Sequence, residues 1–192
     1  MNLPIALTLF RIVLVPLIIV FVISSDRLWV LIAAVIFVAA SLTDWLDGRM
    51  ARRRNQVTRF GTLLDPVADK LLVAAALVAL VQVEVIGAWV AMVIIGRELA
   101  VTGLRGVALS MGVVVPASKF GKLKTVFQYI AITILILERG VPPEYAEPFH
   151  VLSVVALWGA LALTVVSGAD YFYRFFLKAG PRAIIKDQER WP

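Results

Sequence analysis

Cysteine is absent from the 192-residue chain, and histidine occurs once, as His150. The first absence excludes disulfides, thiolate-bound metals and cysteine nucleophiles. The second argues against a multi-histidine centre, so any metal here is a hard cation on oxygen ligands. Acidic residues are outnumbered, 13 against 19 Lys and Arg, which gives a formal net charge of +6. No basic stripe alternates with stacking aromatics, so no nucleic acid is expected as a partner. Anionic lipid and topology account for the positive excess. Internal repeats, linkers and low-complexity stretches are also missing. What fills the chain is apolar: 61% of residues are hydrophobic and the mean hydropathy is +0.91. Soluble domains run at roughly 45–50% apolar, and one small soluble core cannot hide this much. The composition predicts an all-α integral membrane protein, a single domain over residues 1–192 among membrane lipids.

Six apolar segments follow in order. Leu3 to Ile23 is the first, interrupted only by Arg11. A signal peptide would fit Arg11 and the run after it, but no A-x-A site follows and five more apolar segments do. It reads as an uncleaved first span in which Arg11 snorkels to the interface. Pro4 and Pro16 predict local adjustment of that helix. Leu28 to Thr43 is the second and runs directly into Asp44. The third begins near Gly61 and ends in a tight turn at Glu84. The fourth runs from Val85 to about Ser110, and the fifth from the basic run Lys119–Thr125 to Leu137. A Pro-rich loop separates it from the sixth, Val151 to Gly168, which continues toward Phe176 and a polar tail.

A bilayer core of about 30 Å needs roughly 20 helical residues. Leu28–Thr43, Leu71–Val81 and Val85–Ile95 are shorter, and each is completed by polar sequence at one end. Polar ends at membrane depth must face one another around a wet cavity. Alternating six spans puts most of the basic residues on one side, from the Arg49–Arg59 group to Arg105, Lys119, Lys122, Lys124 and Arg174. The positive-inside rule makes that side cytoplasmic, with both termini and the cavity there. The absence of an Arg- and Ser-rich leader before the first segment favours a bacterial inner membrane.

The costly residues lie between Thr43 and Lys70, TDWLDGRMARRRNQVTRFGTLLDPVADK. Asp44, Asp47, Gly48 and Ala51 fall on one helical stripe at i, i+3, i+4 and i+7. Gly61, Asp65 and Asp69 make a second stripe on the next helix. If the stripes meet, four carboxylates surround one volume, and two Mg²⁺ or Mn²⁺ ions would offset their repulsion. Ions about 3.5–4 Å apart suit phosphoryl transfer. The small residues on the stripes leave space beside the backbone for something bulky. Pro66 disfavours the helical region at Asp65 and suggests that Asp65 caps the third helix. Caps and ion pairs such as Asp44–Arg52 or Asp65–Arg59 are the ordinary alternative for single aspartates. Four aspartates with interleaved small residues on matching faces go beyond it.

Asp44-x2-Asp47-Gly48-x2-Ala51-Arg52-x8-Gly61-x3-Asp65-x3-Asp69 resembles the signature of the CDP-alcohol phosphotransferases at all eight positions. The resemblance implies six transmembrane helices, a homodimer, and displacement of CMP from a CDP-linked lipid by an alcohol with divalent metal. It implies that Asp44, Asp47, Asp65 and Asp69 hold the metal and that Asp69 is also the general base. Gly48, Ala51 and Gly61 would shape the CDP site, with Arg52 beside them on a carboxylate or a phosphate. Gly96–Arg105 and Lys119–Thr125 are similar to segments of the phosphatidylglycerophosphate synthases within that family. The implied substrates are CDP-diacylglycerol and glycerol 3-phosphate. The acceptor's dianionic phosphate needs cations, for which Arg105, Lys119, Lys122 and Lys124 are placed. Arg97 and Glu98 read as a mutual or interhelical ion pair. One departure stands at Ile5, where the family's N-terminal Pro-Asn-x-Leu-Thr entry has asparagine.

Two other readings compete. Sister enzymes use phosphatidylglycerol, serine or an inositol phosphate as acceptor, and a serine acceptor needs no such basic pocket. A divalent-cation transporter also uses intramembrane carboxylates. Against it, all four aspartates gather near one face and no inverted repeat is visible.

Overall fold

The computed structural model describes residues 3–54, 59–113, 116 and 119–188, with side chains over 9–43, 67–113, 116, 121 and 123–177. Six α-helices account for nearly all of it: α1 Leu3–Ile23, α2 Arg27–Arg54, α3 Arg59–Gln82, α4 Ala88–Ser110, α5 Lys119–Gly140 and α6 Ala146–Gln188. A single 3-10 turn, Pro143–Tyr145, precedes α6, and no strand occurs among the described residues. All six expected helices are present. α2 carries on past its apolar run for another eleven residues, from Asp44 to Arg54, as the helical stripe Asp44 to Ala51 requires. Asp65 lies inside α3 rather than at its start, which leaves Pro66 in the helix interior, where it has no N–H for the carbonyl four residues back.

Local chemistry sets the turns. Asp26 caps α2, its Oδ1 accepting from the Leu28 amide at 2.9 Å. The carbonyls at the end of α1 are met by Arg139 of α5, which donates to Val22 O and Ser24 O. The tight turn at Glu84 is a Schellman closure: Val85 N donates to Leu80 O and Glu84 N to Val81 O, both at 3.0 Å. Glu84 takes the left-handed position, φ 60°, that glycine usually fills. Gly112, φ 73°, closes α4 by the same pattern, with Val113 N on Ala108 O at 2.8 Å.

Core membership alternates along the chain: late in α1 (Ile18, Val22), early in α2 (Val30, Phe37), late in α3 (Leu72–Leu80) and early in α4 (Val90, Ile94). That is the pattern of an up-and-down bundle whose dry core fills one half. α1 packs on α2 and α3, α5 on α2 and α6, and α4 on α3 and α6. Hydroxyls inside the helices bond back to the preceding turn, as Thr164 does to Ala160 O at 2.7 Å and Thr133 to Tyr129 O at 2.8 Å. The outer faces are apolar, with Val35 68% and Met92 71% exposed. Among the described residues one stretch, Pro143–Leu177, is long and apolar enough to cross a membrane by itself; Leu9–Ile23 and Arg27–Thr43 are shorter apolar helices. Arg11 does not snorkel outward but is buried in the bundle, 3% exposed.

Candidate active site

The half of the bundle opposite the core encloses a cavity of about 940 Å³, walled by α2, α3, α4, α5 and α6. α2 stays helical through Asp44, Asp47, Gly48, Ala51 and Arg52, and α3 through Gly61, Asp65 and Asp69. The backbone thus keeps the spacing on which two carboxylate stripes depend. Of these side chains only that of Asp69 lies within the described residues; those of Asp44, Asp47, Ala51, Arg52 and Asp65 lie outside them, as do Lys119 and Lys122. Among the described residues, accordingly, no three metal-ligating side chains come together.

Asp69 stands half-buried on the cavity wall. Tyr129 of α5 donates its phenol to Asp69 Oδ1. The tyrosine ring is held in turn by an edge-to-face contact with Phe37 of α2, 5.9 Å between centroids. Three helices therefore fix one carboxylate.

The α4 wall is charged. Arg97 donates through Nη1 to Glu98 Oε1 at 2.7 Å and through Nη2 to Ser167 Oγ of α6 at 3.0 Å. Gly168 makes room for the arginine stem, since a Cβ there would lie 3.1 Å from Arg97 Cγ. Lys124 of α5, only 2% exposed, donates its ammonium to the same Glu98 oxygen. The pair read from the sequence is thus both mutual and interhelical. Lys124 reaches the cavity only through Glu98, whereas Arg105 lines it directly, its guanidinium 5.8 Å from the centroid of the Tyr171 ring. Arg97, Glu98 and Lys124 carry a net single positive charge, and Arg105 adds another. A carboxylate and a cationic wall share one cavity, which suits proton abstraction beside an anion.

Tyr129, Phe37, Ser167 and Tyr171 went unread in the sequence. Each acts through a partner on another helix, and Tyr129 lies 60 residues from Asp69. Ser167-Gly168, a small polar pair inside an apolar run, is the one local signal.

Residues 1–166 match the family model for CDP-alcohol phosphatidyltransferase. The chain belongs to that family. It is 47% identical over 184 residues to the CDP-diacylglycerol–glycerol-3-phosphate 3-phosphatidyltransferase of Bacillus subtilis (strain 168), covering 89% of this chain and 93% of the relative. The same-named protein of Salmonella choleraesuis (strain SC-B67) is 41% identical over 177 residues, 88% of this chain and 96% of its own. A probable phosphatidylglycerophosphate synthase of Mycobacterium tuberculosis (strain ATCC 25618 / H37Rv) is 39% identical over 179 residues, with coverages of 90% and 81%. The family match holds all four aspartates and the α4 and α5 walls, and it ends within α6, one residue before Ser167. As a family member the chain is a phosphatidyltransferase.

Proposed function

We propose that the chain moves the phosphatidyl group of CDP-diacylglycerol onto glycerol 3-phosphate, giving phosphatidylglycerophosphate and CMP. The observation that carries this reading is that Asp69 and Arg105 line one cavity, taken with the activity for which the relatives are named. Asp69 takes the proton of the acceptor hydroxyl. The freed oxygen bonds to the phosphorus that bears diacylglycerol, the bond from that phosphorus to CMP breaks, and CMP leaves with the electron pair. Arg105, with Lys119 and Lys122 at the start of α5, holds the acceptor phosphate, and Lys124 and Arg97 set the charge of the wall behind it. Gly48, Ala51, Arg52 and Gly61 form the CDP site.

The residues fit a hard divalent cation. Asp69 offers an anionic oxygen to a cavity whose described lining contains hydroxyls and carboxylates but neither histidine nor cysteine. Asp44, Asp47, Asp65 and Asp69 would hold Mg²⁺ or Mn²⁺, two ions by charge. Bound there, such ions neutralise phosphoryl oxygens and make the acceptor hydroxyl easier to deprotonate. The bundle sits in a bacterial inner membrane as a single six-span domain, a homodimer, with cavity and termini cytoplasmic. The apolar outer faces and the basic end of the bundle support this placement.

Purified protein with Mg²⁺ and CDP-diacylglycerol is expected to release CMP on addition of glycerol 3-phosphate, and not with serine or phosphatidylglycerol. Release with serine but not glycerol 3-phosphate would overturn the acceptor while leaving the family intact. Arg105→Gln removes one charged contact to the acceptor phosphate, so its KM for glycerol 3-phosphate rises by about tenfold or more. Its KM for CDP-diacylglycerol stays within about twofold, since this contact serves the acceptor alone. If neither KM moves, the acceptor phosphate lies elsewhere.

A further inference from the structure

We infer that Tyr129 is a positioning residue for the reaction, one that selects which oxygen of Asp69 does the chemistry. The inference rests on the proposed role of Asp69 but not on the identity of the acceptor. A free carboxylate rotates about its last torsion and offers two equivalent oxygens. Here the phenol of Tyr129 engages Oδ1, and it makes the only side-chain hydrogen bond to Asp69 among the described residues. Oδ2 is left for the cavity. The phenol is itself aimed by packing, because Phe37 meets the ring edge-to-face from α2. Tyr129 and Asp69 both line the cavity, so this hydrogen bond runs along its wall and not through the dry core. Partners that orient a ligating or reacting group in this way carry much of its precision.

Tyr129→Phe keeps the ring on Phe37 and removes only the hydroxyl. Measured on the full-length protein in detergent, kcat is expected to fall about tenfold or more, with both KM values within about twofold of wild type. The melting temperature is expected to stay within about 2 °C, a shift that corresponds to less than about 1 kcal/mol. Mn²⁺ titrated into the substrate-free protein and followed by electron paramagnetic resonance gives a readout independent of turnover. Its affinity is expected to weaken by about tenfold, the usual effect of losing a partner that orients a ligand. A tenfold fall in kcat or in Mn²⁺ affinity at unchanged melting temperature supports the assignment. Both quantities within twofold of wild type would overturn it, and so would a loss of activity that tracks a lowered melting temperature. If wild type prefers another alcohol, the same comparison is made with that alcohol, so a wrong acceptor and a wrong role for Tyr129 are told apart.

Discussion

Asp69→Asn is expected to lower kcat by at least about a thousandfold while the protein stays folded. General-base catalysis contributes roughly 10²–10⁴-fold by itself, and the same substitution takes one anionic oxygen from the proposed metal ligands. The change is nearly isosteric. An asparagine oxygen still accepts from Tyr129, so the link between α3 and α5 persists and the melting temperature should hold. CMP release under saturating CDP-diacylglycerol, glycerol 3-phosphate and Mg²⁺ is the measurement. A variant with near-normal kcat would remove Asp69 as the base. The prediction is also sharp against Tyr129→Phe: a positioning residue modulates the rate, and the group it positions sets it.

How much of this was legible depends on whether the determinant is local. The six helices were, because apolar runs and the Pro-rich loop before α6 act within a few residues of themselves. The stretch of α2 past Thr43 was legible only from the helical stripe Asp44 to Ala51, since hydropathy stops where lipid-compatible sequence does and is blind to a helix that continues into polar sequence. Glu84 shows the same limit on a smaller scale. Its turn was visible, but the Schellman closure that forces a left-handed backbone onto a glutamate was not. In the site, the helical backbone that carries the aspartates was legible from their spacing, and Asp69 stands on the cavity wall. Their supports were not, because Tyr129 meets Asp69 and Lys124 meets Glu98 across different helices, and sequence spacing says nothing about such pairs. Charge sign was readable along α5 for the same reason that its pairing was hidden: sign belongs to the residue, and pairing to the packing.

Glu98→Ala is expected to destabilise the protein by about 3–5 kcal/mol, the range seen when one partner of a buried ion pair is removed. The geometry makes the effect asymmetric. Among the described residues Lys124 has its one hydrogen bond to Glu98, and it is 2% exposed, so losing the carboxylate strands an ammonium that water cannot reach. Glu98 in contrast has two cationic partners, and after Lys124→Met it still accepts from Arg97. The order of melting temperatures should therefore be wild type first, Lys124→Met next and Glu98→Ala last, with the last lower than wild type by roughly 10 °C. Combining the two should recover part of the loss, because the stranded ammonium is gone while the volume lost at Glu98 and the partner lost to Arg97 are not restored. If Glu98→Ala melts within about 2 °C of wild type, less than about 1 kcal/mol, the network does not hold α4 to α5. The same variants separate structure from substrate binding. Lys124→Met with an unchanged KM for glycerol 3-phosphate makes the lysine a strut of the cavity wall, and a raised KM at unchanged stability makes it part of the acceptor site. Because Arg97 ties the trio to Ser167, the strut reading predicts that damage at Glu98 spreads to α6, and with it to Tyr171 beneath Arg105.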